Sequence, residues 1–128
     1  MGGYRVNVRQ QVAEHLSEVF AADTDLPEIY VVATERQLDD IHKLTIQLRG
    51  TSIGRLPQAP LSQRAIRMSA IVISAHDDLD MAVDELDEVV PLILDSFDTS
   101  FQHEDAELVQ YGTHMAYTIP LTVIASKE

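Results

Sequence analysis

The chain contains no cysteine and no tryptophan, and only 5% of its residues are aromatic. Without cysteine there is neither a disulfide framework nor a thiolate metal site, and a reducing compartment suits such a composition. No apolar run approaches the roughly 20 residues that a membrane-spanning helix needs. The leading MGGYRVNVRQQ lacks the apolar stretch of a secretory signal, so none is expected. Val6 stands where an N-myristoylation motif requires Ser or Thr. The most informative absence is positive charge: from Met68 to Ser126 there is no Lys or Arg, against twelve Asp and Glu. With a formal net charge of −12, the chain has no basic stripe for gripping nucleic acid and would be repelled by an anionic membrane surface.

What is present fits one globular domain spanning residues 1–128. Apolar residues make up 45% and charged residues 23%, which argues against wholesale disorder. Charge is segregated along the chain, because six of the nine basic residues lie between Arg36 and Arg67. Two readings of that map stand side by side. The acidic half is a solvated face, or the basic middle of one subunit docks against the acidic half of the next.

Hydrophobic periodicity sets the expected elements. Val8, Val12, Leu16, Val19 and Phe20 fall at helical spacing, so Asn7–Ala22 reads as a helix, with Asn7 and Gln10 forming a capping box and Pro27 ending the segment. Ile29–Ala33 is a short run of β-formers and reads as a buried strand. Glu35–Ile41 reads as a loop or a single helical turn. Lys43–Arg49 alternates, placing Leu44, Ile46 and Leu48 on one face and Thr45, Gln47 and Arg49 on the other, as in a half-buried antiparallel strand. Gly50–Gln63 has two Gly and two Pro and reads as a long loop. Arg64–Ala75 returns as a strand, completing a long hairpin.

A second amphipathic helix follows, with Asp77 or Asp78 as its N-cap. Leu79, Ala82, Val83, Leu86, Val89, Val90, Ile93 and Phe97 form its apolar stripe, and Pro91 is expected to kink it or mark a change of axis. Ala106–Tyr111 and Met115–Ala125 form a closing hairpin turning at Gly112-Thr113, where Pro120 implies an edge or a bulge. The fold class is therefore α+β, in the order α-β-β-β-α-β-β. It is a four- to five-stranded, mostly antiparallel sheet with two amphipathic helices on one face. Leu16, Phe20, Ile46, Val72, Leu86, Val90, Ile93, Leu121 and Val123 are the expected core. The opposite face, rich in Thr, Gln, Ser and Arg, is either solvated or meets another subunit.

No constellation of catalytic residues emerges. His76-Asp77-Asp78 has the look of a metal-binding pair, but His15 and His42 sit on unrelated elements, and helix capping accounts for the aspartates. The acidic stripe of Asp80, Asp84, Asp87 and Glu88 has helical spacing, yet a solvent-facing stripe does not push pKa values apart as acid–base work requires. Gly50-Thr-Ser-Ile-Gly54 lacks the Lys-Ser/Thr ending of a phosphate loop. No enzyme, cofactor or metal is expected from these residues.

Taken in order, the features resemble a known family. An amphipathic helix precedes Leu26-Pro27 and a short apolar strand, and LTIQLRGTSI leads into a Pro-containing hairpin loop. The return strand, IRMSAIVISAHDD, runs directly into the acid-rich helix LDMAVDELDEVVPLILDSF, and the closing hairpin ends in YTIPLTVIA. From Asn7 to Ala125 this pattern resembles the tail terminator proteins of long-tailed bacteriophages. The resemblance implies a structural virion protein, a ring typically of six copies that caps the head-proximal end of the tail tube. Such a ring stops polymerisation, offers a surface to the head connector or stopper, and lets genome DNA pass without specific binding. It also implies a place in the virion tail, and in the host cytoplasm during assembly. The charge map adds candidate interface residues: Arg49, Arg64 and Arg67 facing Asp84, Asp87 and Glu88 of a neighbour, with Arg55 and Leu56 at the projecting loop. Another head–tail joining ring protein is distinguished by whether tube or head connector co-purifies. A small-ligand-binding regulatory module would reveal itself by a metabolite that raises the melting temperature.

Overall fold

A computed structural model of the chain describes residues 8–55 and 63–126. Helix α1 (Val8–Ala22) buries Val12, Ala13, Leu16 and Phe20, one stripe at helical spacing. The capping box expected from Asn7 begins outside the described residues. After α1, the Asp25 amide donates to the Asp23 carboxylate at 2.9 Å, forming the turn that drops Leu26 into the core.

The sheet comprises β1 (Tyr30–Ala33), β2 (Thr45–Gly54), β3 (Gln63–Ile73), β4 (Gln102–His103), β5 (Glu107–Tyr111) and β6 (His114–Ser126). Spatially the order is β1-β2-β3-β6-β4, with β5 also pairing β6. Among the described residues only β1 and β2 run parallel; the other pairs are antiparallel. Among the described residues the sheet thus has six strands, one more than the largest number expected. The addition is two-residue β4, too short to leave any periodic trace, which forms where Gln102 and His103 align with Thr122 and Leu121.

Helix α2 (Leu79–Asp98) starts at Asp78, whose carboxylate accepts from the Met81 amide at 3.0 Å. It continues unbroken through Pro91, whose missing N–H leaves the Asp87 carbonyl without its intrahelical donor. Both helices lie on the same sheet face. Their stripes meet Ile46, Leu48, Met68, Ala70, Val72, Ile119 and Leu121, and Phe97 at the centre meets Phe20 at a tilt and Phe101 edge to face. Every expected core residue is buried there except Val123, which is half-buried near the sheet's end.

Expectations for β2 and β6 also change. Strand β2 does not stop at Arg49: a bulge at Thr51, between the pairs Gly50–Met68 and Ser52–Arg67, carries it on to Gly54. A glycine inside a strand marks such a bulge, so Gly50–Gly54 is strand rather than loop. The remaining tip of the Gly50–Gln63 loop lies mostly outside the described residues. Pro120, moreover, sits in β6 at the interior of the sheet, opposite Ser69 of β3. Its carbonyl accepts from the Glu104 amide at 3.0 Å, so its main-chain groups point away from β3. The absent N–H falls in the gap between the end of β5 at Thr118 and the start of β4 at Leu121, where no ladder bond is lost.

The second face is only partly open. The segment 34–43 crosses it and seals a small core of Ile41, Ile71, Ile73, Tyr111 and Ala116. Thr45 and Gln47, expected to be solvated or to meet another subunit, are buried under that strap.

Candidate assembly surfaces

The candidate basic residues scatter over both faces of the hairpin. Arg49 is half-buried on the strap side, its guanidinium 5.4 Å from the Tyr111 ring centroid and 3.5 Å from the Tyr111 hydroxyl. This contact occupies it within its own subunit. Arg67 projects from the same face and lies over Gly54, where a Cβ would meet its Nη1 at 2.9 Å. By strand alternation Arg64 belongs to the opposite, helix-bearing face, and its Nη1 donates to the Gln63 carbonyl at 3.0 Å. Arg55 is exposed beyond the end of β2, and Leu56 falls outside the described residues.

The acidic candidates share one surface. Asp84, Asp87 and Glu88 are exposed on the outer side of α2. Asp87 is not wholly free, since the Tyr117 hydroxyl donates to it at 2.8 Å. That bond to a carboxylate, then partial burial, pushes the Tyr117 phenol above its ordinary range. The acids therefore look outward from the helix layer, while Arg49 and Arg67 look outward from the other side of the sheet. Among the described residues, no ion pair joins Arg49 or Arg67 to Asp84, Asp87 or Glu88.

Polar clusters that spacing could not reveal hold these surfaces in place. Gln47 is fully buried, its Nε2 donating to the carbonyls of Thr34 (2.8 Å) and Arg36 (2.7 Å) while its Oε1 accepts from the Tyr111 hydroxyl at 2.6 Å. That hydroxyl also accepts from the Leu38 amide at 2.7 Å, so one tyrosine and one glutamine pin the strap. Glu35 pairs with Arg9 of α1 and accepts from the Gly50 amide at 3.0 Å, tying helix, strap and bulge together. At the far end of α2, His103 Nε2 meets the Asp98 carboxylate at 2.5 Å and Nδ1 meets the Glu104 carbonyl at 2.9 Å. Two acceptors on one imidazole favour the doubly protonated ring. The backbone carbonyl first, then Asp98, raise the His103 pKa.

The His76 motif resolves as a strand-to-helix junction. Ser74 donates to Glu85 at 2.8 Å, and His76 Nε2 stands 3.5 Å from the other Glu85 oxygen. Among the described residues no three His, Cys, Asp or Glu side chains group to hold a metal, and no described helix is long and apolar enough to cross a membrane. Shallow grooves lie beside α2 and along the strap; the one between α2 and the β4–β5 turn has a volume of about 390 Å3. Compared with known proteins, the chain matches no protein-family model and no curated protein.

Proposed function

We propose that this protein is a structural subunit of a bacteriophage tail terminator, forming a ring, with six copies as the expected number, on the head-proximal end of the tail tube. The observation that carries the proposal is the charge division on a fold of this element order. Arg49, Arg55, Arg64 and Arg67 lie on the β2–β3 hairpin, Arg49 and Arg67 on the face away from the helices and Arg64 on the helix-bearing face. The acids crowd the outer side of α2 and the turn after β4, on a different surface of the same subunit. A cyclic ring needs two unlike, complementary surfaces, and opposite charge sets their register while apolar packing supplies most of the affinity. A net charge of −12 would also keep passing DNA from adhering to the lumen. Tail tube and head connector or stopper are the partners on the two ring faces.

Negative-stain images of tails assembled with and without the protein test this reading. Tails of uniform length ending in a ring are expected with it, and overlong tubes without it. Uniform tails in its absence overturn the reading. Capture of the head connector instead of the tube would reassign the protein to another head–tail joining role.

A further inference from the structure

Strand β4 is two residues long, and the stretch it begins is lightly held. Gln102 and His103 pair with Thr122 and Leu121 of β6, and the Glu104 amide donates to the Pro120 carbonyl at 3.0 Å. The turn that follows forms one wall of the groove beside α2. The His103 side chain is 16% exposed and stands edge-on to Phe97, the ring centroids 6.3 Å apart. Its Nε2 meets Asp98 at the end of α2, and its Nδ1 meets the carbonyl of Glu104. One imidazole therefore bridges α2 to the turn, through a carboxylate and a carbonyl that can only accept hydrogen bonds.

We propose that His103 is a protonation-gated latch: its doubly protonated imidazole fastens residues 102–106 to the end of α2, and loss of one proton lets this segment open by itself while the helix-face core stays folded. The neutral imidazole carries a single N–H. Whichever nitrogen keeps it, the other turns a lone pair on an acceptor, and one of the two contacts is lost. The charged groups nearby favour the latched form. Asp98 of α2 and Asp105 of the turn attract the cation, and Asp87 and Glu104 line the adjoining groove, where Asp87 also holds the Tyr117 hydroxyl. From β6 the ladder partner is Leu121, flanked by uncharged Pro120 and Thr122. From α1, His15 packs on Phe101, and Phe97 lies between Phe101 and His103. Burial opposes the charge, but the Glu104 carbonyl and then Asp98 outweigh it, so the folded midpoint stands above the ordinary histidine value. Segments with few contacts and short ladders open locally before the core does. Opening here would uncover the edge of β6 at Thr122 and remove one wall of the groove. The latch follows from the geometry of this segment and does not require the assembly proposed above.

Amide hydrogen exchange on the full chain, followed by NMR from the acid to the alkaline side of neutrality, tests the latch. The reporter is the Glu104 amide, which is bonded to the Pro120 carbonyl. After correction for the intrinsic exchange rate, its protection should fall as pH rises through the His103 midpoint, read from the imidazole resonances of the same sample. The fall should be about tenfold for each pH unit by which that midpoint exceeds the ordinary value of about 6.5. Amides of Ile46 and Ile93, in the helix-face core, should keep their protection over the same range. In His103→Gln the Glu104 protection should no longer depend on pH. Asp98→Asn changes a largely exposed side chain, so the fold should survive; the midpoint should drop towards the ordinary value and the fall should shrink with it. Glu104 protection that ignores pH in the native chain overturns the latch. A fall shared equally by Ile46 and Ile93 also overturns it, because the proton would then stabilise the fold as a whole. An unchanged pH profile in His103→Gln overturns it by assigning the effect to another group.

Discussion

The two faces of the sheet are held by different forces. On the helix face, Leu16, Phe20, Leu86, Ile93 and Phe97 interlock with Ile46, Val72 and Leu121 in a continuous apolar cluster. On the strap face, five buried side chains form a small cluster, and its neighbour is the fully buried Gln47, bonded to Tyr111 and to two strap carbonyls. Apolar burial is non-directional and roughly additive in area, so the first face spreads its stabilisation over many residues. The second concentrates it in a few directional bonds, where one missing atom strands several partners. The difference teaches that the helix layer defines the fold, while the strap layer fixes the position of a surface.

The comparison breaks most completely with Leu86→Asp. An ionised carboxylate in the apolar cluster costs several kcal/mol, against a total stability of about 5–15 kcal/mol. Loss of the cooperative melt and of native circular dichroism is expected; a soluble variant with a native spectrum would contradict the assigned core. Tyr111→Phe attacks the other face. It removes the donor to Gln47 and the acceptor of the Leu38 amide, and about 1–3 kcal/mol should be lost. Hydrogen exchange is the sharper measurement, because the Leu38 amide should lose protection while amides of the helix-side core keep theirs. Uniform acceleration everywhere would show that the two faces unfold as one unit.

His103 is a polar clamp at the margin of the helix face, and its effect depends on pH. Its folded pKa is raised by the Glu104 carbonyl and by Asp98. The stabilisation is therefore fully present below the unfolded value of about 6.5 and is lost as pH rises through the raised folded value. The melting-temperature advantage of the native protein over His103→Gln should shrink as pH climbs from the acid side of neutrality to the alkaline side. An advantage that grew with pH would mean that the neutral ring is the bonded form. Smallest of all is Arg67→Glu. Folded stability should change by no more than about 1 kcal/mol, and any weakening of assembly should vanish near 1 M salt, where the screening length falls to about 3 Å. Sedimentation at two salt concentrations checks this.

Much of the architecture was legible in the chain, since it follows from periodicity. Spacings of three and four residues marked both helices, alternation marked β2 and β6, and the Asp77-Asp78 pair before Leu79 marked the start of α2, of which Asp78 is the cap. Segregation of charge was legible too, as a linear count. Less legible were the features made by residues distant in sequence. Gln47 alternates with apolar neighbours and so reads as solvent-facing, but the strap covers it and Tyr111, 64 positions away, completes its bonding. Arg49 read as a candidate interface cation, and its contact with the same tyrosine left no trace in the spacing.

By itself the sequence determined which stretches are helix and strand, which face of each is apolar, and which half of the chain is acidic. These are local properties, set by backbone period and side-chain solvation. Only the tertiary structure decided that β6 lies inside the sheet despite Pro120, that β2 continues through a bulge, and that segment 34–43 closes the second face. The physical reason is that long-range strand pairing and directional hydrogen bonds depend on where the partner arrives in space, which no spacing along the chain encodes.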